Sequence, residues 1–224
     1  MATLSAAAIL AENARRRPEK TALVEGDLRL TFAQVWRRAL SRAGALTALG
    51  VRPGDRVALM APNTAEFPVA YYAIAAAGGV VVPVHLLLSA GEVEHVLGDS
   101  GASLLLVHPA QAETGRAAAD ALGVRVVVLG EEFDRLAADA EPLPSYVTRA
   151  ADDPAVVFYT SGTTGVPKRA VLSHFNIVMN ATSPSLGFAR PGGPPSPSTP
   201  TTSAPTTSPS AHCRSSTPSA RPCR

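Results

Sequence analysis

Apolar positions in the first 160 residues follow two alternating rhythms. Short unbroken apolar runs at Arg56–Met60, Val80–Val84, Ser103–Val107, Val124–Leu129 and Ala155–Tyr159 have the length and β-branched content of strands buried on both faces. Between them, apolar residues recur at helical spacing. Ser5 is placed to cap a helix running to Arg16 and stopping before Pro18. Thr21–Glu25 and Leu28–Thr31 flank Gly26-Asp27, which predicts a hairpin. Thr31 with Gln34 forms a capping box that opens a helix through Val35, Trp36, Leu40, Ala43 and Leu46 and closes at Gly50. Thr64–Ala77 reads as a helix, Ser89 with Glu92 caps another to about Leu97, and Ala110–Leu122 is a further one. Residues 130–153 read as a loop with one amphipathic turn. Phe67–Leu88 is almost free of charge, but Pro68, Gly78-Gly79 and Pro83 divide it into a buried helix, a turn and a buried strand, so no transmembrane segment is expected. The alternation predicts an α/β fold with a mostly parallel, layered sheet.

The rhythm stops at Ala181. Of the last 44 residues, 17 are Ser or Thr, 10 are Pro, and only Leu186 and Phe188 are large and apolar. Such a segment cannot bury enough surface to offset its ordering entropy, so residues 181–224 are expected to be a disordered tail behind a partial domain at 1–180. Charge divides at the same place. The first 180 residues hold 16 basic and 18 acidic side chains, and the tail holds 4 basic and no acidic ones. A net charge of +2 makes no general case for nucleic-acid binding. Both cysteines, Cys213 and Cys223, lie in the tail, so the body has neither a disulfide framework nor a cysteine metal site. The N-terminus has no basic n-region, and Glu12 interrupts its apolar run; the expectation is a cytoplasmic protein.

The candidate chemistry follows the last strand. In Tyr159-Thr160-Ser161-Gly162-Thr163-Thr164-Gly165-Val166-Pro167-Lys168, four hydroxyl residues and two glycines occupy six positions. Glycines allow close backbone approach to a ligand, successive N–H groups and hydroxyls make an anion-binding concavity, and Lys168 adds a positive charge. The spacing is not that of a Walker A loop. The candidate phosphate-binding residues are therefore Thr160, Ser161, Gly162, Thr163, Thr164, Gly165 and Lys168, with no catalytic or metal-ligating residue assigned.

The string YTSGTTGVPKRAVLSHFN at 159–176 resembles the phosphate-binding signature of the AMP-forming acyl-CoA synthetases and their adenylating relatives. The upstream strings GDRVALMAPNTAEFPVAYYAIAAAGGVVVPV and LLLSAGEVEHVLGDSGASLLLV resemble the early N-terminal domain of that family, and the likeness covers about residues 8–180. The resemblance implies the adenylate-forming fold, incomplete here, and ligase chemistry with nucleotide and carboxylate partners. A carboxylate attacks the α-phosphate of ATP, releasing pyrophosphate, and coenzyme A then displaces AMP from the acyl-adenylate. It further implies that Thr160–Gly165 and Lys168 wrap the β- and γ-phosphates, with Mg2+ as a companion ion. Two positions depart from the family pattern. Arg169 stands where Gly is usual, either adding phosphate affinity or distorting the loop, and His85-Leu86 replaces a common Asn-Pro as a packing change. His174 reads as part of a helix N-terminus after Ser173 rather than as a catalytic base.

No acidic residue follows Asp153, so the family's Mg2+-binding Glu has no counterpart, and its later motifs are absent. The tail suggests a cause. Back-translating Ala211–Cys223 and reading two bases later forces Leu at the His212–Cys213 junction and permits Leu-Pro-Leu-Phe-His-Thr-Phe-Gly-Gln-Thr-Val. That string resembles the family segment expected soon after the phosphate loop. The expectation is a frameshift near Ala181, leaving a truncated, catalytically incomplete ligase; the alternative is a non-catalytic remnant with at most weak nucleotide phosphate binding.

Overall fold

The computed structural model describes residues 3–160 and 168–182 of the 224-residue chain. Its elements are α1 (Ala7–Arg16), β1 (Thr21–Glu25), β2 (Leu28–Thr31), α2 (Phe32–Ala48), β3 (Arg56–Met60), α3 (Glu66–Ala76), β4 (Val80–Pro83), α4 (Ala90–Ser100), β5 (Ala102–Val107), α5 (Ala112–Asp120), β6 (Arg125–Val128), α6 (Glu131–Ala138), β7 (Pro154–Thr160), β8 (Lys168–Ser173) and α7 (His174–Thr182). The main sheet has the order β6-β5-β3-β4-β7-β8. Its first five strands are parallel, and β8 runs antiparallel to β7. The hairpin β1–β2 stands apart as a separate two-stranded sheet.

Helices cover both faces of the sheet, as unbroken apolar strands require. On one face, Leu59, Val81 and Val156 pack with Leu46 of α2, Ile74 of α3 and Phe133 of α6. On the other, Met60, Val82, Leu105 and Val157 pack with Val93 and Leu97 of α4 and Ala118 of α5. A third cluster joins the hairpin to the helices through Leu10, Leu30, Val35 and Val69. Both expected capping boxes are present: the Thr31 side chain accepts the Gln34 N–H, and the Ser89 side chain accepts the Glu92 N–H, each with the reciprocal bond. Gly44, inside α2, has a packing reason: a Cβ there would overlap the Glu141 carbonyl oxygen.

Several expectations need correction. Ala6, not Ser5, is the N-cap of α1, although the Ser5 hydroxyl accepts the Ala7 N–H at 3.2 Å. α3 begins at Glu66, two residues later than read, and α4 continues to Ser100. The segment Ala110–Leu122 divides into a 3-10 turn at Pro109–Gln111 and α5. Residues 130–153 contain the two-turn α6, whose Phe133 and Ala137 are buried. β8 has no counterpart in the expected elements, and α7 spans His174–Thr182. The expected disordered tail lies, from residue 183 on, outside the described residues.

Candidate functional site

The signature sits between β7 and β8. β7 lies among the parallel strands, so Thr160 is at the carboxyl edge of the sheet, where ligands of open α/β sheets bind. β8 returns along β7 with Thr160 opposite Lys168 and Tyr159 opposite Arg169. The Thr160 hydroxyl donates to the Lys168 carbonyl at 3.4 Å. These two residues form the mouth of the candidate loop, and the expected phosphate ligands Ser161, Gly162, Thr163, Thr164 and Gly165 lie outside the described residues. Lys168 is exposed and forms no ion pair among the described residues.

Arg169, where the family pattern has Gly, reaches α4, while the loop it borders lies outside the described residues. Its Nη1 donates to the Asp99 carbonyl at 3.2 Å and lies 3.8 Å from the Asp99 carboxylate. The Tyr159 hydroxyl donates to the same carboxylate at 2.5 Å. Burial and the Asp99 carboxylate push the Tyr159 hydroxyl up to about 12, so it stays a donor at neutral pH. Sequence reading missed Asp99 and the role of Tyr159, because 60 residues separate the two and no local pattern joins them. At the other departure, the His85 Nδ1 accepts the Leu87 N–H and Leu86 packs against the core on the α4 face.

α7 starts after Ser173, whose hydroxyl accepts the Asn176 N–H while the Asn176 side chain accepts the Ser173 N–H. His174 is fully buried, and its Nδ1 accepts the Ala6 N–H at 3.0 Å, tying the N-terminal segment to the end of β8. Burial first, then the nearby Arg149 cation, holds the imidazole below its ordinary value against the opposing Asp153 carboxylate. A depressed folded-state value means that the stability His174 contributes is present above about pH 6.5 and fades as pH falls below it. Thermal melts should show this loss just below pH 6.5. His174→Asn, which keeps an acceptor near Nδ1 without titrating, should remove that part of the pH dependence; an unchanged profile would show that His174 does not cause it.

Relatives share this architecture. The profile of the AMP-binding enzyme family matches residues 10–215. Feruloyl-CoA synthase of Amycolatopsis sp is 44% identical over 167 residues, covering 75% of this chain and 33% of that protein. A long-chain-fatty-acid–CoA ligase, FadD13, of Mycobacterium tuberculosis is 38% identical over 182 residues, covering 78% of this chain and 36% of that protein. The chain thus spans about a third of the length of these curated relatives. Among solved structures, the anthranilate CoA ligase AuaEII in complex with anthranoyl-AMP superposes with a TM-score of 0.75 at 29% identity, over 81% of this chain and 36% of that one. The inhibitor-bound N-terminal domain of FACL13 from Mycobacterium tuberculosis gives 0.69 at 34% identity, over 76% of this chain and 44% of that one. With the family's profile covering most of its length and its fold shared with these ligases, the chain belongs to the AMP-binding enzyme family.

Proposed function

We propose that residues 1–180 carry the ATP-phosphate-binding part of a carboxylate–CoA ligase of the cytoplasm, acting in the metabolism of fatty or related acids. The observation that carries this reading is the Thr160–Lys168 mouth: a hydroxyl- and glycine-rich connection held by two paired strands at the carboxyl edge of a parallel sheet, with an exposed cation at its exit. Thr160, Ser161, Gly162, Thr163, Thr164, Gly165 and Lys168 hold the β- and γ-phosphates while the carboxylate attacks the α-phosphate. Pyrophosphate leaves, and the coenzyme A thiol displaces AMP. The loop contributes position and charge neutralisation rather than covalent chemistry. The acids named for relatives, feruloyl, long-chain fatty and anthranilate, support a carboxylate as the substrate.

The residues present do not fit a Mg2+ site. Among the described residues no three His, Cys, Asp or Glu side chains are gathered to hold a metal ion, and residues 154–224 contain no carboxylate side chain. We propose, although the family profile runs to residue 215, that residues 181–224 are read out of frame and that the 224-residue polypeptide does not complete the ligase cycle. Supporting this are the acid-free, Pro/Ser/Thr-rich composition after Ala181 and the Leu forced at the His212–Cys213 junction in the alternative frame.

Phosphate binding is testable on the chain as it exists. Calorimetric titration with inorganic tripolyphosphate should show saturable binding, and Lys168→Ala should weaken it by about tenfold, the size expected for one charge-assisted contact at an exposed site. Equal affinity in both proteins would remove Lys168 from the site, and no binding at all would sink the phosphate reading.

A further inference from the structure

We infer that Asp99, Tyr159 and Arg169 form a latch that fixes both strand ends bracketing residues 161–167, which makes Arg169 a positioning residue for the phosphate loop; this rests on the phosphate reading above.

Three observations converge on one place. Tyr159 and Arg169 are cross-strand partners, one residue outside the Thr160–Lys168 mouth. Both reach the same residue, Asp99, at the C-terminal end of α4. Strand alternation then separates two tasks. Tyr159 packs on the α4 face of the sheet, so its partner Arg169 shares that face. Thr160 and Lys168 fall on the opposite alternation, away from α4. Adjacent cations at 168 and 169 thus point to different work: Lys168 stays available at the mouth, and Arg169 is committed to the scaffold.

The chemistry of the latch suits its members. The last carbonyls of a helix lack intrahelical donors and carry the negative end of its dipole. Arg169 offers one guanidinium to such a carbonyl and to the carboxylate beside it. Tyr159, a neutral donor, hydrogen-bonds the Asp99 Oδ2 that the guanidinium faces. One strand end alone could still swing on its own backbone. Tying both strands to a single residue of a packed helix restricts the opening of the mouth, which lowers the ordering cost when a polyanion binds.

The test uses the full 224-residue chain, with amide hydrogen exchange and tripolyphosphate titration as separate readouts. Arg169→Thr keeps a strand-forming residue and removes the guanidinium, and Tyr159→Phe removes only the hydroxyl. Each should speed exchange at residues 158–160 and 168–170 by about three- to tenfold and weaken tripolyphosphate by a similar factor. Arg169→Lys, still cationic, should recover most of both. In an Asp99→Ala background, Arg169→Thr should add little, because their common partner is already gone. The latch is overturned if exchange near the mouth is unchanged in Arg169→Thr. It is equally overturned if the Asp99→Ala and Arg169→Thr losses multiply, since Arg169 then acts independently of Asp99. Should the unsubstituted chain bind no tripolyphosphate, the phosphate reading fails, and the exchange data alone decide the latch by the same two outcomes.

Discussion

Shifting the reading frame near codon 181 is expected to turn a chain with no measurable ATP–pyrophosphate exchange into one that exchanges at enzyme-like rates, a gain of at least about a thousandfold. The size of the effect follows from what the phosphate loop does alone. On the proposed reading it holds triphosphate oxygens, but adenylate formation also needs a bound carboxylate and neutralisation of the charge moving onto pyrophosphate. After Asp153 the chain offers no carboxylate side chain to bring in a metal ion, and after Phe188 no large apolar residue to line an acyl pocket. Positioning and electrostatic terms of this kind account for most of the rate in such transfers, so a loop without them gains little over solution. Pyrophosphate exchange reports the first half-reaction without coenzyme A, which separates a repaired adenylation site from a repaired thioester step. In the shifted product, Lys168→Ala should lower exchange by about a hundredfold, as removing one preorganised charge-stabilising group does. DNA across codons 176–224 that encodes no family-like continuation in the alternative frame would end the frameshift reading. A shifted product with exchange no greater than that of the unshifted 224-residue chain would do the same.

How much of this was legible in sequence depends on whether the determining contacts are local. The boxes Thr31/Gln34 and Ser89/Glu92 are complete within one helical turn, and both elements start where the sequence places them. The strands β3, β4 and β5 are buried on both faces, so their apolar runs needed no partner to be recognised. β8 is different. It opens with two basic residues, is largely exposed, and exists because it pairs with β7, which no periodicity announces. The signature itself was read from residue order, yet what anchors its flanks is Asp99 on α4, 60 residues before Tyr159 and 70 before Arg169. Arg169, read as an anomaly beside a loop, becomes intelligible only once α4 and the hairpin lie together. α6 escaped for a related reason: half of its eight residues are charged, and a buried cation from α2 organises them.

That cation should dominate the response of the fold to single substitutions. Arg42 of α2 is buried, with its side chain 4% exposed, and one Nη2 serves two carboxylates, Glu66 of α3 at 2.6 Å and Asp134 of α6 at 2.8 Å. Its guanidinium also lies 5.3 Å from the centre of the buried Phe133 ring. One side chain thereby joins three helices on the same face of the sheet. Arg42→Met fills similar volume but leaves Glu66, 28% exposed at its side chain, without its counter-charge and releases α6 from α2. Breaking a buried pair at one partner costs about 3 kcal/mol, and Glu66's partial access to water keeps the expectation at that lower end. Asp134→Asn should cost less than about 1 kcal/mol, since that carboxylate is 63% exposed and solvent already screens the pair. Arg42→Lys should recover little, because a single ammonium cannot lie over the Phe133 ring while meeting two carboxylates. Urea unfolding of the three variants gives the comparison. Equal losses for Arg42→Met and Asp134→Asn would show that the exposed ion pair, not the buried hub, holds α6 in place, and a loss below about 1 kcal/mol for Arg42→Met would remove the hub altogether.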